Sequence, residues 1–459
     1  MDASVRLNEF GTLEETVALL EEAYLYAYPL VLMDVIKDRT TNVVVPDAEH
    51  APINQLFHAQ TLATPDMVSL TRPNVDTVYS QAYLDLGAEP VLLYKPATDR
   101  YCSIQTFDGY SNTPVVLGTG GVGGSDAATY AFVGPFWSGE LPEGVTKVSM
   151  PTNFVWLLLR TKCFGVDDLP GVREVQQGMR MYPLSAHALD EGVGYECPKG
   201  SYDPAYDYVP LEFMQRLSVQ DFFTRFNGLA SGNPGAPEDA SAIAQFETVG
   251  VGAGLTFDIA SLGEGVAEAA TYLPTLLDRD FSSAHAGTTV SNGWMFMDNR
   301  VGTFGTDYAY RAVVAFGGFA NPVTMAVYPS MVMDAAGNPL RGDKSYRLHF
   351  AAGETPPHAS EGWWSLTAYT EAGRLIPNEL NRYNIGEVDD LPFNEDGSLD
   401  LYLQAERPAD DRVRFWLPLC RTGSWALRKR LSWPHKAWGM KTSSPCVLYF
   451  WQQAPLQAL

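Results

Sequence analysis

Arg100-Tyr-Cys-Ser-Ile-Gln-Thr-Phe-Asp108 and Phe154-Val-Trp-Leu-Leu-Leu-Arg160 are the stretches that decide the fold. The first alternates and ends at an Asp-Gly turn, as a strand does. The second is a short apolar run with a charged end, which reads as a buried strand. Around them, from Val78 to Thr161, the period stays near two, and Pro90-Val-Leu-Leu-Tyr-Lys-Pro96 adds a strand between prolines. Short strands punctuated by turns predict a β-sandwich rather than βαβ units.

Outward from this block the pattern changes. Thr12-Leu-Glu-Glu15 is a capping box opening a helix to about Ile36. Leu13, Val17, Leu20, Tyr24, Ala27, Val31 and Val35 predict one buried stripe on it, with a kink at Pro29. Residues 51–71 read as irregular chain. The middle turns helical: Leu169–Met181, Val219–Asn227 capped by Ser218 and closed by Gly228, Asp239–Val249, an Ala-rich region to Phe281, and Phe304–Phe316. Strand text returns at Thr324–Tyr328, Tyr346–Phe350, Trp363–Tyr369, Leu399–Gln404 and Trp425–Leu431. Asp334-Ala-Ala-Gly337 and Asn394-Glu-Asp-Gly397 read as hairpin turns. The predicted organisation is a helical lead-in at 1–50, a β-sandwich at 51–165, a helical middle at 166–318 and a second β-sandwich at 319–459.

Composition narrows the function classes. The chain has 459 residues, with 46% hydrophobic and 19% charged, as in a folded globular protein. Its 31 Lys and Arg against 54 Asp and Glu leave a net charge of −23. That argues against nucleic acid or an anionic membrane as partner. The five cysteines (Cys102, Cys163, Cys197, Cys420, Cys446) are scattered without a CxxC, which excludes a disulfide scaffold or zinc knuckle. No apolar run approaches the ~20 residues needed to span a bilayer. The amino terminus shows no signal peptide, so the default expectation is a soluble cytoplasmic protein, with self-association left open.

Eight phrases carry a resemblance. Glu22-Ala-Tyr-Leu-Tyr-Ala-Tyr-Pro29, Thr71-Arg-Pro-Asn-Val-Asp-Thr-Val-Tyr79, Asp99-Arg-Tyr-Cys-Ser-Ile-Gln105 and Pro151-Thr-Asn-Phe-Val-Trp156 occupy the amino-terminal half. Trp363-Trp-Ser-Leu-Thr367, Asn378-Glu-Leu-Asn-Arg-Tyr383, Asp396-Gly-Ser-Leu399 and Trp416-Leu-Pro418 occupy the carboxy-terminal half. In this order they resemble the family with paired domains of unknown function, 1254 followed by 1214. The resemblance implies an immunoglobulin-like β-sandwich, a helical middle and a jelly-roll-like β-sandwich, and it assigns no activity. Glu379 and Phe415 depart from it, standing where the family commonly has Pro and Asn.

Standard catalytic signatures are mostly missing. The seven histidines form no HxxxH or HxH pair, so no sequence-local metal site is expected, and there is no GxSxG elbow. Gly118-Thr-Gly-Gly-Val-Gly123 satisfies GxGxxG, but no amphipathic helix follows it, so it reads as a loop rather than a nucleotide site. No cofactor is expected.

The densest polar text is Arg72-Pro-Asn74-Val-Asp76-Thr-Val-Tyr79. One reading is structural: an Asx-turn network in which Asp76 caps backbone donors and pairs with Arg72 or Arg160. The other is catalytic: Asp76 as general acid/base, Arg72 binding an anionic or carbonyl oxygen, Tyr79 donating a proton. Asn74, Asn153, Arg160, Trp364, Asn381, Arg382 and Tyr383 are candidate substrate-binding residues, the last three with Trp416 and Trp433 as an aromatic and amide platform for a sugar or flat organic ligand. Two functions follow as expectations: a metal- and nucleotide-independent enzyme acting on a small organic molecule or sugar, or a non-catalytic carbohydrate-binding, small-molecule-binding or assembly protein.

Overall fold

The computed structural model describes residues 12–67, 72–281, 288–291, 294–356, 358–421, 425–434 and 456–458. The amino-terminal half holds β1 (Phe57–His58), β2 (Thr77–Asp85), β3 (Val91–Lys95), β4 (Cys102–Asp108), β5 (Val116–Gly118), β6 (Val122–Gly123), β7 (Ala128–Val133), β8 (Val145–Ser149), β9 (Phe154–Lys162) and β10 (Arg180–Pro183). They form a six-stranded sheet, ordered β1-β2-β9-β4-β5-β6, and a four-stranded sheet, ordered β10-β3-β7-β8.

The two quoted stretches lie side by side at the centre, as β4 and β9, paired antiparallel from Cys102↔Thr161 to Asp108↔Val155. Val155, Leu157 and Leu159 of β9 pack against Leu93, Tyr130 and Phe132 of the facing sheet. Phe154, Trp156 and Leu158 point the opposite way, into a helical layer. Apolar partners on both faces explain why β9 reads as a continuous run instead of an alternation.

That layer is built on α1 (Leu13–Thr40), whose capping box forms as expected: the Glu15 N–H donates to Thr12 Oγ1 and the Thr12 N–H to Glu15 Oε2. Its burial is broader than one stripe. Every residue from Tyr26 to Val35 is buried, because α1 is enclosed by the sheet on one side and other helices on the rest. Pro29 sits inside this unbroken helix. Around it lie α2 (Leu169–Gly178), α3 (Pro210–Arg216), α4 (Val219–Ala230), α5 (Ala240–Thr248), α6 (Val266–Ala269), α7 (Leu276–Phe281) and α8 (Tyr308–Phe316). Helix ends differ from those the periodicity predicts: α4 runs through Gly228 to Ala230 and is not closed by that glycine, and α5 is one residue shorter at each end. α2 stops at Gly178, so Met181 belongs to β10, and α8 starts only after the Asp307 N-cap. The glycine-rich stretch folds as β5, a turn and β6, followed by strand β7 and no helix.

The carboxy-terminal half holds β11 (Thr288–Ser291), β12 (Trp294–Met297), β13 (Ala326–Val327), β14 (Ser330–Met331), β15 (Tyr346–Phe350), β16 (His358–Thr370), β17 (Asn384–Gly386), β18 (Leu399–Gln404), β19 (Trp416–Pro418), β20 (Trp425–Pro434) and β21 (Leu456–Ala458). A seven-stranded sheet runs β11-β12-β14-β20-β16-β17 with β13 also on β20, and a four-stranded sheet runs β19-β18-β15-β21. Leu366 and Ile385 of the first meet Leu348, Leu401 and Leu403 of the second in one core. The chain is thus sheet-rich at both ends with helices between.

A buried charge locks the helical layer to β4. Arg311 of α8 is 1% exposed and lies 5.1–5.4 Å from the ring centres of Tyr26, Tyr110 and Tyr308. Its Nε and Nη2 find no hydrogen-bond partner among the described residues, so ring faces and nearby carboxylates stabilise the cation. One carboxylate is Asp108, whose Oδ1 accepts the Tyr110 and Asn112 N–H groups, both at 2.9 Å. Burial pushes the Asp108 carboxyl up to about 6, against the pull of Asn112 and Arg311.

Because the folded value is raised, its stabilising contribution is full below the ordinary value of 3.8 and is lost as pH rises through about 6. Asp108→Asn removes that titration. Urea denaturation should show the variant gaining on the wild type by on the order of 3 kcal/mol between about pH 4 and pH 7. A difference that stays flat with pH refutes the assignment.

Candidate functional site between the two sheet-rich halves

The Arg72–Tyr79 segment is where the halves meet. Asn74 makes the Asx turn: its Oδ1 accepts the Asp76 N–H at 2.6 Å and its Nδ2 donates to Thr77 Oγ1 at 2.5 Å. The Asp76 carbonyl accepts the Cys163 N–H at 3.0 Å, extending the β2–β9 ladder by one step. The side chain of Asp76, 4% exposed, reaches into the other half. Its Oδ2 accepts from Ser365 Oγ of β16 at 2.7 Å and its Oδ1 from Asn384 Nδ2 of β17 at 2.6 Å. Tyr369 Oη donates to the Pro73 carbonyl at 2.9 Å, and the Arg72 N–H donates to the Gly373 carbonyl at 2.6 Å.

Beside this seam a cleft of about 680 Å³ opens, lined by Arg100, Tyr101, Lys162, Phe164, Glu174 and Val175 from one half and Ser360 and Glu361 from the other. Arg100 is committed to structure: its guanidinium grips Asp168 in a bidentate pair at 2.5 and 2.6 Å. Gly171 lets α2 sit against it, since a Cβ there would stand 2.3 Å from Arg100 Nη2. Lys162 is not so committed. Its ammonium lies 4.4 Å from the Trp363 ring centre and 5.0 Å from that of Phe164, with no hydrogen bond or ion pair among the described residues. Burial lowers its pKa, while Glu387 and Asp76 pull it back up. Glu387 is itself bonded to His358 Nε2 at 2.6 Å, a contact that raises the histidine's pKa.

The predicted site residues are spread over several places. Asp76 and Asn74 are together at the seam, but Arg72 is exposed, with φ +50°, and pairs with no carboxylate among the described residues. The expected Asp76–Arg160 ion pair does not form. Arg160 donates to Gln105 Oε1 at 2.9 Å and lies over the Tyr79 ring at 5.8 Å, because cross-strand pairing sets it opposite Tyr79. Thr71 lies outside the described residues.

Trp364 is inside the carboxy-terminal core, and Trp363 is buried against Tyr101. Arg382 holds the Val413 and Trp416 carbonyls at 2.8 and 3.0 Å, Tyr383 Oη donates to Asn381 Oδ1, and Trp416 is buried; the Trp433 side chain lies outside the described part. Asn153 faces a different cleft. Sequence reasoning missed Lys162, Ser365 and Asn384. Lys162 had a signal, since it continues the parity of Trp156 and Arg160. Among the described residues no group of three His, Cys, Asp or Glu could hold a metal ion, and no helix is long and apolar enough to cross a membrane.

Residues 53–183 match the model of a protein of unknown function, DUF1254, and residues 325–436 that of a protein of unknown function, DUF1214. The chain belongs to the family that pairs these domains. Its architecture is similar to the crystal structure of the VPA0106 protein from Vibrio parahaemolyticus, with 20% identity and a TM-score of 0.69 over 96% of this chain and 99% of that one. A putative uncharacterized protein from Burkholderia cenocepacia shares 12% identity at a TM-score of 0.43, over 97% and 94%. No curated protein matches. Asp76 and Lys162 belong to the DUF1254 match, and Ser365, Asn384 and Trp363 to the DUF1214 match, so the seam joins the two domains.

Asp76→Ala strands the Ser365 hydroxyl and the Asn384 amide in a buried site. The expected loss is on the order of 3 kcal/mol in chemical denaturation. An unchanged midpoint would show that the seam contributes nothing to stability.

Proposed function

We propose that this DUF1254–DUF1214 protein binds a small organic molecule carrying an anionic group in the cleft between its domains, with Lys162 as the recognising cation. The observation that carries this is the Lys162 ammonium, half-desolvated on two aromatic rings and holding no hydrogen bond among the described residues. A cation in that state gains from an incoming carboxylate or phosphate more than a solvated surface lysine does. Phe164, Val175 and Ala97 give the same cleft an apolar flank, which suits a ligand with a hydrocarbon body.

Asp76 takes a positional role in this reading: its carboxylate is buried and occupied by Ser365 and Asn384, which speaks for joining domains and against proton transfer to a bound molecule. The protein is then a binding module of the non-catalytic kind. We further read its amino-terminal pair of sheets as immunoglobulin-like and its carboxy-terminal pair as jelly-roll-like.

Titration calorimetry with benzoate, pentanoate and phenyl phosphate tests the reading. At least one probe should bind, more weakly as salt is raised. Lys162→Gln should weaken it by about tenfold or more, the loss of one charge-assisted hydrogen bond, and Lys162→Arg should retain part of the affinity. Silence from all three probes, or equal binding by Lys162→Gln, rejects it.

A further inference from the structure

A second cleft, of about 470 Å³, lies at the opposite end of β9, between the end of α1, the β2 and β9 termini and the segment after α4. Its charged wall is internally balanced. Lys37 bonds Asp34 at 2.6 Å and Asp38 at 3.0 Å, and Arg225 joins both carboxylates from behind. Two cations against two carboxylates leave that wall with little net field for an ion.

What the cleft does offer is spare hydrogen-bonding capacity. The Asn153 backbone is fully used, its N–H donating to the Gly232 carbonyl and its carbonyl accepting from Leu86, but its carboxamide makes no hydrogen bond among the described residues. Glycine at position 134 makes room for its oxygen. A Cβ on Gly134 would lie 2.4 Å from Asn153 Oδ1, and Cβ atoms on Gly87 and Gly232 would each lie 3.6 Å from Nδ2. Asp85 stands beside it, its Oδ1 3.0 Å from that same Gly87 position and accepting the Gly87 N–H at 2.9 Å, which leaves Oδ2 open. Leu229, Phe154 and Ile53 supply an apolar flank.

A carboxamide offering both donor and acceptor, a neighbouring carboxylate oxygen and an apolar flank match a molecule with hydroxyls along its edge and C–H bonds on its face. We propose that this cleft is a binding site for a neutral polyol of the pyranose or cyclitol class, held by Asn153 and Asp85. The site is separate from the Lys162 cleft and does not depend on it.

The test is saturation-transfer NMR followed by titration calorimetry with glucose, galactose, mannose and myo-inositol. At least one should bind in the millimolar range or tighter. Asn153→Ala strands no partner, so its thermal unfolding should stay at the wild-type temperature while affinity falls by about tenfold, the equivalent of one or two hydrogen bonds. Asp85→Asn, which keeps an oxygen for the Gly87 N–H, should weaken binding while leaving the turn intact. Lys162→Gln should leave polyol binding unchanged. No binding by any of the four, equal affinity in Asn153→Ala, or loss in Lys162→Gln overturns the proposal.

Discussion

Burial of β9 on both faces is the constraint on which the rest of the structure depends. A strand with Val155, Leu157 and Leu159 on one side and Phe154, Trp156 and Leu158 on the other cannot face water on either. It needs a second sheet and a further layer, and an α-helix enclosed on all sides supplies the latter. α1 meets that need because residues 26–35 are almost entirely apolar or aromatic around the whole helix. Each buried large side chain contributes about 1.5 to 3 kcal/mol, so the sheet, the facing sheet and the helix stabilise one another and none has reason to persist alone.

The same face of the central sheet continues past the helical layer to the other domain. Gln105 donates to the Ala320 carbonyl at 3.0 Å, Lys162 sits over Trp363, and Asp76 spans to β16 and β17. Polar groups take over here from apolar ones. A seam held by oriented hydrogen bonds fixes register between two domains more narrowly than hydrophobic contact alone, because each bond tolerates little change in distance or angle. A cleft lined from both sides then keeps its shape.

Local patterns were legible because they depend on neighbours in sequence. The capping box at Thr12 and the strands Cys102–Asp108, Phe154–Lys162, Tyr346–Phe350 and Leu399–Gln404 follow from period and turn chemistry, whereas the pairing of the first two strands at the centre of a sheet does not. The ordered phrases also pointed to the paired domains that the family models match. What was not legible is partner choice across the fold. Asp76 has Arg72 close in sequence and Arg160 on the adjoining strand, yet bonds to Ser365 and Asn384, roughly three hundred positions away. Charge complementarity predicts pairing with the nearest guanidinium, but strand parity gives Arg160 to Gln105 and Tyr79 instead. Helix ends failed for a related reason: Met181 keeps the apolar spacing of α2 but pairs with Leu93, so sheet pairing outweighed helical periodicity.

The two candidate clefts share a cause. Within β9 the side chains are claimed by packed layers, and the buried polar group there, Arg160, is bonded to Gln105 and lies over Tyr79, because desolvation without a partner is costly. At its ends the layers stop. Asn153 immediately precedes the strand and Lys162 closes it, roughly 30 Å apart at about 3.3 Å per residue. Both backbones are held by hydrogen bonds, Asn153 by Leu86 after β2 and Gly232 after α4, Lys162 by the β2 ladder and the Tyr101 carbonyl. Their side chains line the two clefts. A rigid backbone under an uncommitted polar tip suits recognition of a small molecule, because only side-chain rotamers, and no backbone, must be ordered on binding. The strand that forces the fold to close therefore also sets, at its two ends, where the fold can stay open.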